Sequence, residues 1–455
     1  DFIDNSGGVN TSDLEVNIKI LLNPMVAAHR LTLARRNQIL ARMTNEVAGL
    51  VLRNNYLQSQ AISTLELRSA ARLSEYQHLM SSLERSGELN RTLEFLPNDE
   101  QLTERRKRGA GLTRPELAIL LSYSKIWLSK HLLDSDVPAD PYLSLELKRY
   151  FPGPVRTRYA RAIGHHRLRR EIIAMATTNS LVNRMGPAFV SRAQDDTGAP
   201  PAQIARAYSA AREIFNMREV WARIEGLDNR IPPKLQYAMM YETARLLRHL
   251  TYWLLEHRRA DLQVDRAVAE FRRGALELEA AIDKVLVGAV RDRFESVQKE
   301  HLDAGVPPDL AARIASLDAH NAALDIIELA TVHRVPVPDA ARIYFEVGAR
   351  IGLDWLREQI EKLPVDGQWQ AVARTGLRDS ASMIHRKAAE RVLALSRAER
   401  HDARVNAWAN MAGEELTRWQ RTLADMRAAG TSDFATLSVG IDAVRRLTDS
   451  PLRRA

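Results

Sequence analysis

The run Asn5-Ser6-Gly7-Gly8-Val9-Asn10-Thr11-Ser12-Asp13-Leu14-Glu15 contains the residues of this chain best suited to holding a small ligand. Paired glycines allow a tight turn in which bare backbone approaches a bound group. Ser12 and Glu15 have the spacing of a capping box, which predicts a helix N-terminus at Ser12. A hydroxyl, free N–H groups and the positive end of a helix dipole would together favour a carboxylate there. A plain glycine turn followed by a capped helix explains the same residues without any ligand, and residue types alone leave both readings open.

Other chemistry is poorly represented. The chain has no cysteine, which excludes disulfides, thiolate zinc sites, iron–sulfur ligation and cysteine nucleophiles. Gly109-Ala110-Gly111 falls short of a dinucleotide loop: Arg114 occupies the third glycine position, and the run follows charges rather than a strand. No Walker-type loop occurs. His165 and His166 are adjacent and would point about 100° apart on a helix, and there is no His-Glu-x-x-His, so no metal site is expected. With Arg167, Arg169 and Arg170 they read as a solvated basic face rather than an anion site.

Net charge is +8, from 65 Lys and Arg against 57 Asp and Glu, and only ten of the 65 are Lys. The basic residues are scattered among acids along the whole chain. That distribution fits exposed helix faces better than the clustered patch nucleic-acid binding needs, so no nucleic-acid partner is expected. No run of 18 apolar residues occurs; the best candidate, Leu117 to Leu128, is broken by Ser122, Ser124 and Lys125, so no membrane partner is expected either. The first residues, Asp1-Phe2-Ile3-Asp4, carry no initiator Met and no signal-peptide pattern, which suggests a cytoplasmic piece of something longer.

The elements that must position these residues read as helices. Thr113-Arg114-Pro115-Glu116 is a capping box with Pro in the first turn. Pro200-Pro201, Pro232-Pro233, Pro307-Pro308 and Pro338 open further segments, and Gly186, Gly198, Gly305 and Gly430 stand where helices would stop. Leu246, Leu247, Leu250, Trp253 and Leu254 repeat at helical spacing, as do Ile343, Val347 and Ile351. Long helices are expected from about Lys234 to Arg259 and from Val264 to Leu302. The alternation Val16, Ile18, Ile20 fits a short strand by pattern, although the capping box before it favours helix. Tryptophans such as Trp253 and Trp355 fit helix packing. Pro97 to Gly111, with Arg105-Arg106-Lys107-Arg108, is the best linker candidate, read as an exposed polar connection.

The first segment resembles the Asn-Ala-Gly-Gly-Val-x-x-Ser motif of glutamate dehydrogenases, with Ser6 where alanine is usual. The onward text Asp13-Leu14-Glu15-Val16-Asn17-Ile18-Lys19-Ile20-Leu21-Leu22, and farther along Gly111-Leu112-Thr113-Arg114-Pro115-Glu116-Leu117-Ala118, resemble the large NAD-specific bacterial members, as their C-terminal region. The resemblance implies a mainly α fold, a multi-helix bundle-like or irregular α-helical array, with a short N-terminal remnant of an α/β dinucleotide-binding catalytic domain. It divides the chain into 1–23 (end of the catalytic domain), 24–110 (linking helices) and 111–455 (helical C-terminal domain, with a possible subdivision near 230 or 305).

It also implies roles. Ser12 would bind the side-chain carboxylate of L-glutamate, Val9 would line its methylenes, Gly7 and Gly8 would shape the loop, and Asn5 would lie near the nicotinamide of NAD. The reaction is oxidation of L-glutamate by NAD and water to 2-oxoglutarate, ammonium and NADH, in a homo-oligomeric parent. The family's catalytic lysine and aspartate and its dinucleotide loop lie upstream, so this chain contains no catalytic residue and is expected to be inactive alone. The competing expectation is a stand-alone, non-enzymatic helical scaffold.

Overall fold

The computed structural model describes residues 2–365, 368–395, 401–430 and 432–449, and among them there is helix and no strand. The first five helices are α1 (Phe2–Ala27), α2 (Leu33–Glu66), α3 (Leu73–Arg85), α4 (Asp99–Lys107) and α5 (Arg114–Leu133). The Val16–Ile20 alternation is thus helical: Ile18 belongs to a buried stripe with Leu14, Leu21 and Leu22, whereas Val16 is exposed and Ile20 half-buried. The linker candidate 97–111 contains α4, whose N-terminus is closed by Asn98 and Gln101 in a capping box.

The local stop and start signals operate as read. Glu116 Oε2 accepts from the Thr113 backbone N–H at 2.7 Å, closing the box before α5. Pro201, Pro233, Pro308 and Pro338 all lie in first turns, where a missing N–H costs nothing. Pro24 is an exception, near the end of α1. The expected helix 234–259 is observed as Pro233–His257. The expected helix 264–302 is instead two, Val264–Val285 and Gly288–Asp303, because the path breaks at Leu286 and Val287, where Val287 is extended and Gly288 follows at φ +56.

The described residues form two compact units, Asp1–Ala269 and Glu270–Ala455. In the first, α1 packs along α2, α5 along the helix Arg169–Met185, and the helix Pro201–Ile214 along Pro233–His257. Pro201–Ile214 is buried from Ala207 to Ile214, and Ala205, Ala207, Ala210 and Ala211 let its neighbours approach closely. Leu246, Leu247, Leu250, Trp253 and Leu254 form the buried stripe of the facing helix. In the second unit, Val337–Arg350 packs on Gln368–Leu393, which packs on Phe434–Asp449. Ile343, Val347 and Ile351 are buried there, and Trp419 donates from Nε1 to the Ile351 carbonyl at 2.8 Å. No helix among the described residues is long and apolar enough to cross a membrane.

Candidate functional site

The Gly7-Gly8 pair forms no turn. α1 runs unbroken through it, so Ser12 lies about three turns inside the helix rather than at its N-terminus. The Ser12–Glu15 capping box is therefore absent, and the dipole argument for an anion at that hydroxyl falls with it: the N–H groups around Ser12 are spent within the helix. The reason is tertiary. Ser6 Oγ donates to Asn55 Oδ1 of α2 at 3.0 Å, and Gln58 Nε2 donates to Ser6 Oγ at 3.1 Å, so the first turns are pinned along α2. Gly7 sits tight on the same helix, with a side chain there meeting Asn55 Nδ2 at 3.3 Å, whereas one at Gly8 would meet nothing within 4 Å.

Asn5, Val9 and Ser12 follow the i, i+4, i+7 spacing of one helix face. That face is open: Ser12 is exposed and Val9 is 59% exposed, as is Val16 at 46% one turn on. The Asn5 side chain lies outside the described residues. The structure thus brings the backbone positions of Asn5, Val9 and Ser12 onto one stripe with Gly8 beside it, and puts Gly7 on the packed side.

The flank of α1 next to this stripe is held by polar contacts that sequence reading missed. Tyr150 Oη donates to Asp13 Oδ2 at 2.7 Å, and Asn17 Nδ2 donates to Asp13 Oδ1 and to Tyr150 Oη, both at 2.9 Å. Burial first, and then the Asp13 carboxylate, raise the Tyr150 phenol well above its ordinary range. His166 is buried rather than part of a solvated basic face: its Nε2 pairs with the Asn17 carbonyl at 3.0 Å and its Nδ1 accepts from the Leu168 N–H at 3.1 Å. His165 remains exposed. Asp13 and Asn17 are four residues apart, and the partners Tyr150 and His166 lie more than 130 positions downstream, so no local signal pointed to them.

The second motif has a structural explanation. Gly111 passes so close to α2's exit that a Cβ would lie 2.5 Å from the Ala70 nitrogen, and Ser69 Oγ accepts from Leu112 N–H at 2.7 Å while donating to its carbonyl at 3.0 Å. Arg105 pairs with Glu116 at 2.7 Å, so the first arginine of the basic run braces the α5 capping box. Gly109-Ala110-Gly111 therefore serves chain packing. No strand precedes it, so this run does not form the strand–glycine loop–helix cradle of a dinucleotide site. Among the described residues no group of three metal-ligating side chains occurs.

Comparison with known proteins adds the family. Residues 109–447 match the family model described as glutamate dehydrogenase, C-terminal, and residues 1–65 match bacterial NAD-glutamate dehydrogenase, catalytic domain. The latter match spans α1 and almost all of α2. The NAD-specific glutamate dehydrogenase of Pseudomonas aeruginosa is 41% identical over 96% of this chain, that of Halomonas elongata 40% over 99%, and that of Mycobacterium tuberculosis 33% over 98%. The chain spans only 27%, 28% and 28% of those three proteins' lengths. A catalytic-domain match over the first 65 residues disfavours the free-standing scaffold. The chain belongs to the family of glutamate dehydrogenase C-terminal regions and, through its first 65 residues, to the large bacterial NAD-dependent glutamate dehydrogenases.

Proposed function

We propose that this chain is the C-terminal part of an enzyme that oxidises L-glutamate with NAD and water to 2-oxoglutarate, ammonium and NADH, and that the open stripe of α1 is one wall of its substrate pocket. The observation that carries this reading is the exposure of Val9 and Ser12 on one face of a helix whose opposite face is buried through Leu14, Ile18, Leu21 and Leu22 and whose flank is bonded to Tyr150 through Asp13. A face left bare inside a catalytic-domain match is suited to being covered by the remainder of that domain. Ser12 would then donate its hydroxyl to the glutamate side-chain carboxylate, Val9 would pack on the methylenes, Gly8 would admit substrate closely, and Gly7 would keep α1 against α2. Asn5, one turn before Val9, would face the nicotinamide end of the cofactor. NAD would be bound mainly by parts of the parent outside this chain, and the hydride transfer and proton steps would be carried out there.

On this reading residues 1–23 supply the pocket wall, 24–110 carry the chain onward, and 111–455 brace the catalytic part in a homo-oligomeric parent. The test uses the complete parent enzyme and the 455-residue chain side by side. The parent should reduce NAD with glutamate, and the chain alone should not. In the parent, Ser12→Ala should raise KM for glutamate about 10–100-fold, the worth of one hydrogen bond to a charged group, with a smaller effect on KM for NAD. An unchanged KM for glutamate would remove Ser12 from the pocket, and NADH production by the pure chain would overturn the division of labour.

A further inference from the structure

A narrow cleft opens in the first unit where the last turn of α2, the end of helix Arg169–Met185 and helix Pro233–His257 meet, lined by Arg68, Arg72, Arg184, Arg245, Arg248 and Tyr241. Five arginines converge from three distant stretches of sequence. Their counter-charges are not equally shared. Arg184 is satisfied, donating to Glu225 and Gln60 at 2.8 Å each while its guanidinium lies 4.3 Å over the Trp221 ring. Arg68 stacks over Tyr241 at 4.4 Å, and Arg245 reaches Glu242 at 3.4 Å.

Arg248 is different. The carboxylate in its field is Glu75, and both oxygens of Glu75 are engaged elsewhere: Oε2 by Arg72 at 2.6 Å and Oε1 by Arg192 at 2.6 Å. No described residue accepts a hydrogen bond from Arg248. Burial, and then repulsion by Arg72, push its guanidinium below the ordinary arginine range despite the attraction of Glu75. The carbonyl ends of α2 and of helix Arg169–Met185 border the cleft through Leu65 and Met185, and their dipoles offset part of the positive charge. They supply no oxygen to Arg248. Asn183, on the same wall, has a buried Oδ1 without a hydrogen-bond partner among the described residues. At Gly186 the backbone itself forms the floor, for a side chain there would lie 2.9 Å from Leu65 Cδ2.

We propose that this arginine cleft binds a small oxyanion, a carboxylate or a phosphate group, with Arg248 as its principal donor and Arg68 and Arg245 at its mouth. Guanidinium forks suit the planar or tetrahedral oxygens of either group. The cleft joins Ala61, Thr64 and Leu65, the last residues of the catalytic-domain match, to residues 183–186 and 241–248 of the C-terminal match. An anion held there ties the end of α2 to the helix Pro233–His257, so its occupancy would set how rigidly the catalytic-domain segment is carried. This goes beyond the dehydrogenase reading and does not depend on turnover.

The test titrates inorganic phosphate and, separately, malonate into the 455-residue chain at fixed ionic strength, with chloride as the reference, reading heat of binding and Tm. Saturable binding is expected, weakened at least tenfold in both Arg248→Met and Arg68→Gln. Binding of malonate alone assigns the cleft to carboxylates, binding of phosphate alone to phosphoryl groups, and binding of both to oxyanions generally. Should Arg248→Met fail to fold, Arg68→Gln, at an exposed stacked position, decides. No saturable binding of either anion beyond chloride, or wild-type affinity in the folded variants, overturns the proposal.

Discussion

At the scale of single residues, Ser12 and Glu75 show how position in the fold changes what a side chain can do. As a helix cap Ser12 would contribute about 1 kcal/mol, which alanine would remove. Exposed in the interior of α1, it contributes little to folding, and alanine is the better helix former. Ser12→Ala in the isolated chain should therefore leave stability within about 0.5 kcal/mol of the original by urea denaturation. A loss near 1 kcal/mol would mean that α1 begins at Ser12 after all.

Glu75 lies at the other extreme. Burial would raise its carboxyl, but Arg72, and then Arg192 and Arg248, overcome this and hold it down at about 2. A depressed carboxyl stabilises the fold fully above its unfolded value and loses that contribution as pH falls through its folded value. Glu75→Gln should cost about 3–5 kcal/mol at pH 7, because it strands buried guanidiniums. The gap to the original chain should stay constant down to about pH 4.5 and narrow only below that. A gap that closes already at pH 6 would contradict the assignment.

At the scale of elements, glycines inside helices separate close packing from open surface. A Cβ at Gly348, in Val337–Arg350, would lie 2.5 Å from Nε2 of His385, a ring stacked on Tyr344 with centroids 3.6 Å apart and bonded to the Tyr344 carbonyl at 2.7 Å. Gly376, on the exposed side of Gln368–Leu393, would meet nothing within 4 Å. The same substitution should thus act in opposite directions. Gly376→Ala should stabilise by about 0.5–1 kcal/mol through helix propensity. Gly348→Ala should destabilise by about 1–3 kcal/mol, since overpacking outweighs that gain. Thermal unfolding of the two variants checks both signs, and stabilisation by Gly348→Ala would show that the helix pair can separate cheaply.

At the scale of the whole molecule, the two units should respond differently to acid. His320 and His385 in the second unit are both fully buried. Burial, then Arg313, lowers His320 to about 3; burial, then Arg357, lowers His385 well below its ordinary value. The unfolded chain therefore binds protons below about pH 6.5 that the folded unit refuses, and stability falls as pH drops through that value. Each histidine costs about 1.4 kcal/mol for each pH unit below about 6.5 and little above it, so moving from pH 7.5 to 5.5 should remove about 3 kcal/mol from this unit through the pair. Hydrogen exchange resolved along the chain, corrected for its intrinsic pH dependence, should show opening around residues 320–350 and 385–393 at pH 5.5. In the first unit the Glu75 cluster keeps its contribution there. Equal protection at both pH values in the second unit would refute the argument.

What the amino-acid text determined by itself is what acts within a few residues. The capping box at Thr113 and Glu116, the prolines in first turns and the leucine stripe of Pro233–His257 are legible because a helix end and a helix face are set by neighbours three or four positions away. The Asn5–Ser12 motif and the Gly111–Ala118 run likewise identified the family, which the matches over 1–65 and 109–447 then established. What only tertiary structure decided depends on distant partners. Gly7-Gly8 reads as a turn by composition, yet α1 continues through it because Ser6 is bound to Asn55 and the Leu14–Leu22 stripe is buried. His166 reads as solvent-facing until Asn17 arrives from 149 residues away. The arginine cleft draws on positions 68, 72, 184, 245 and 248, whose separation along the chain conceals their common charge. Burial and long-range electrostatics belong to the packed structure, and no window of local sequence contains them.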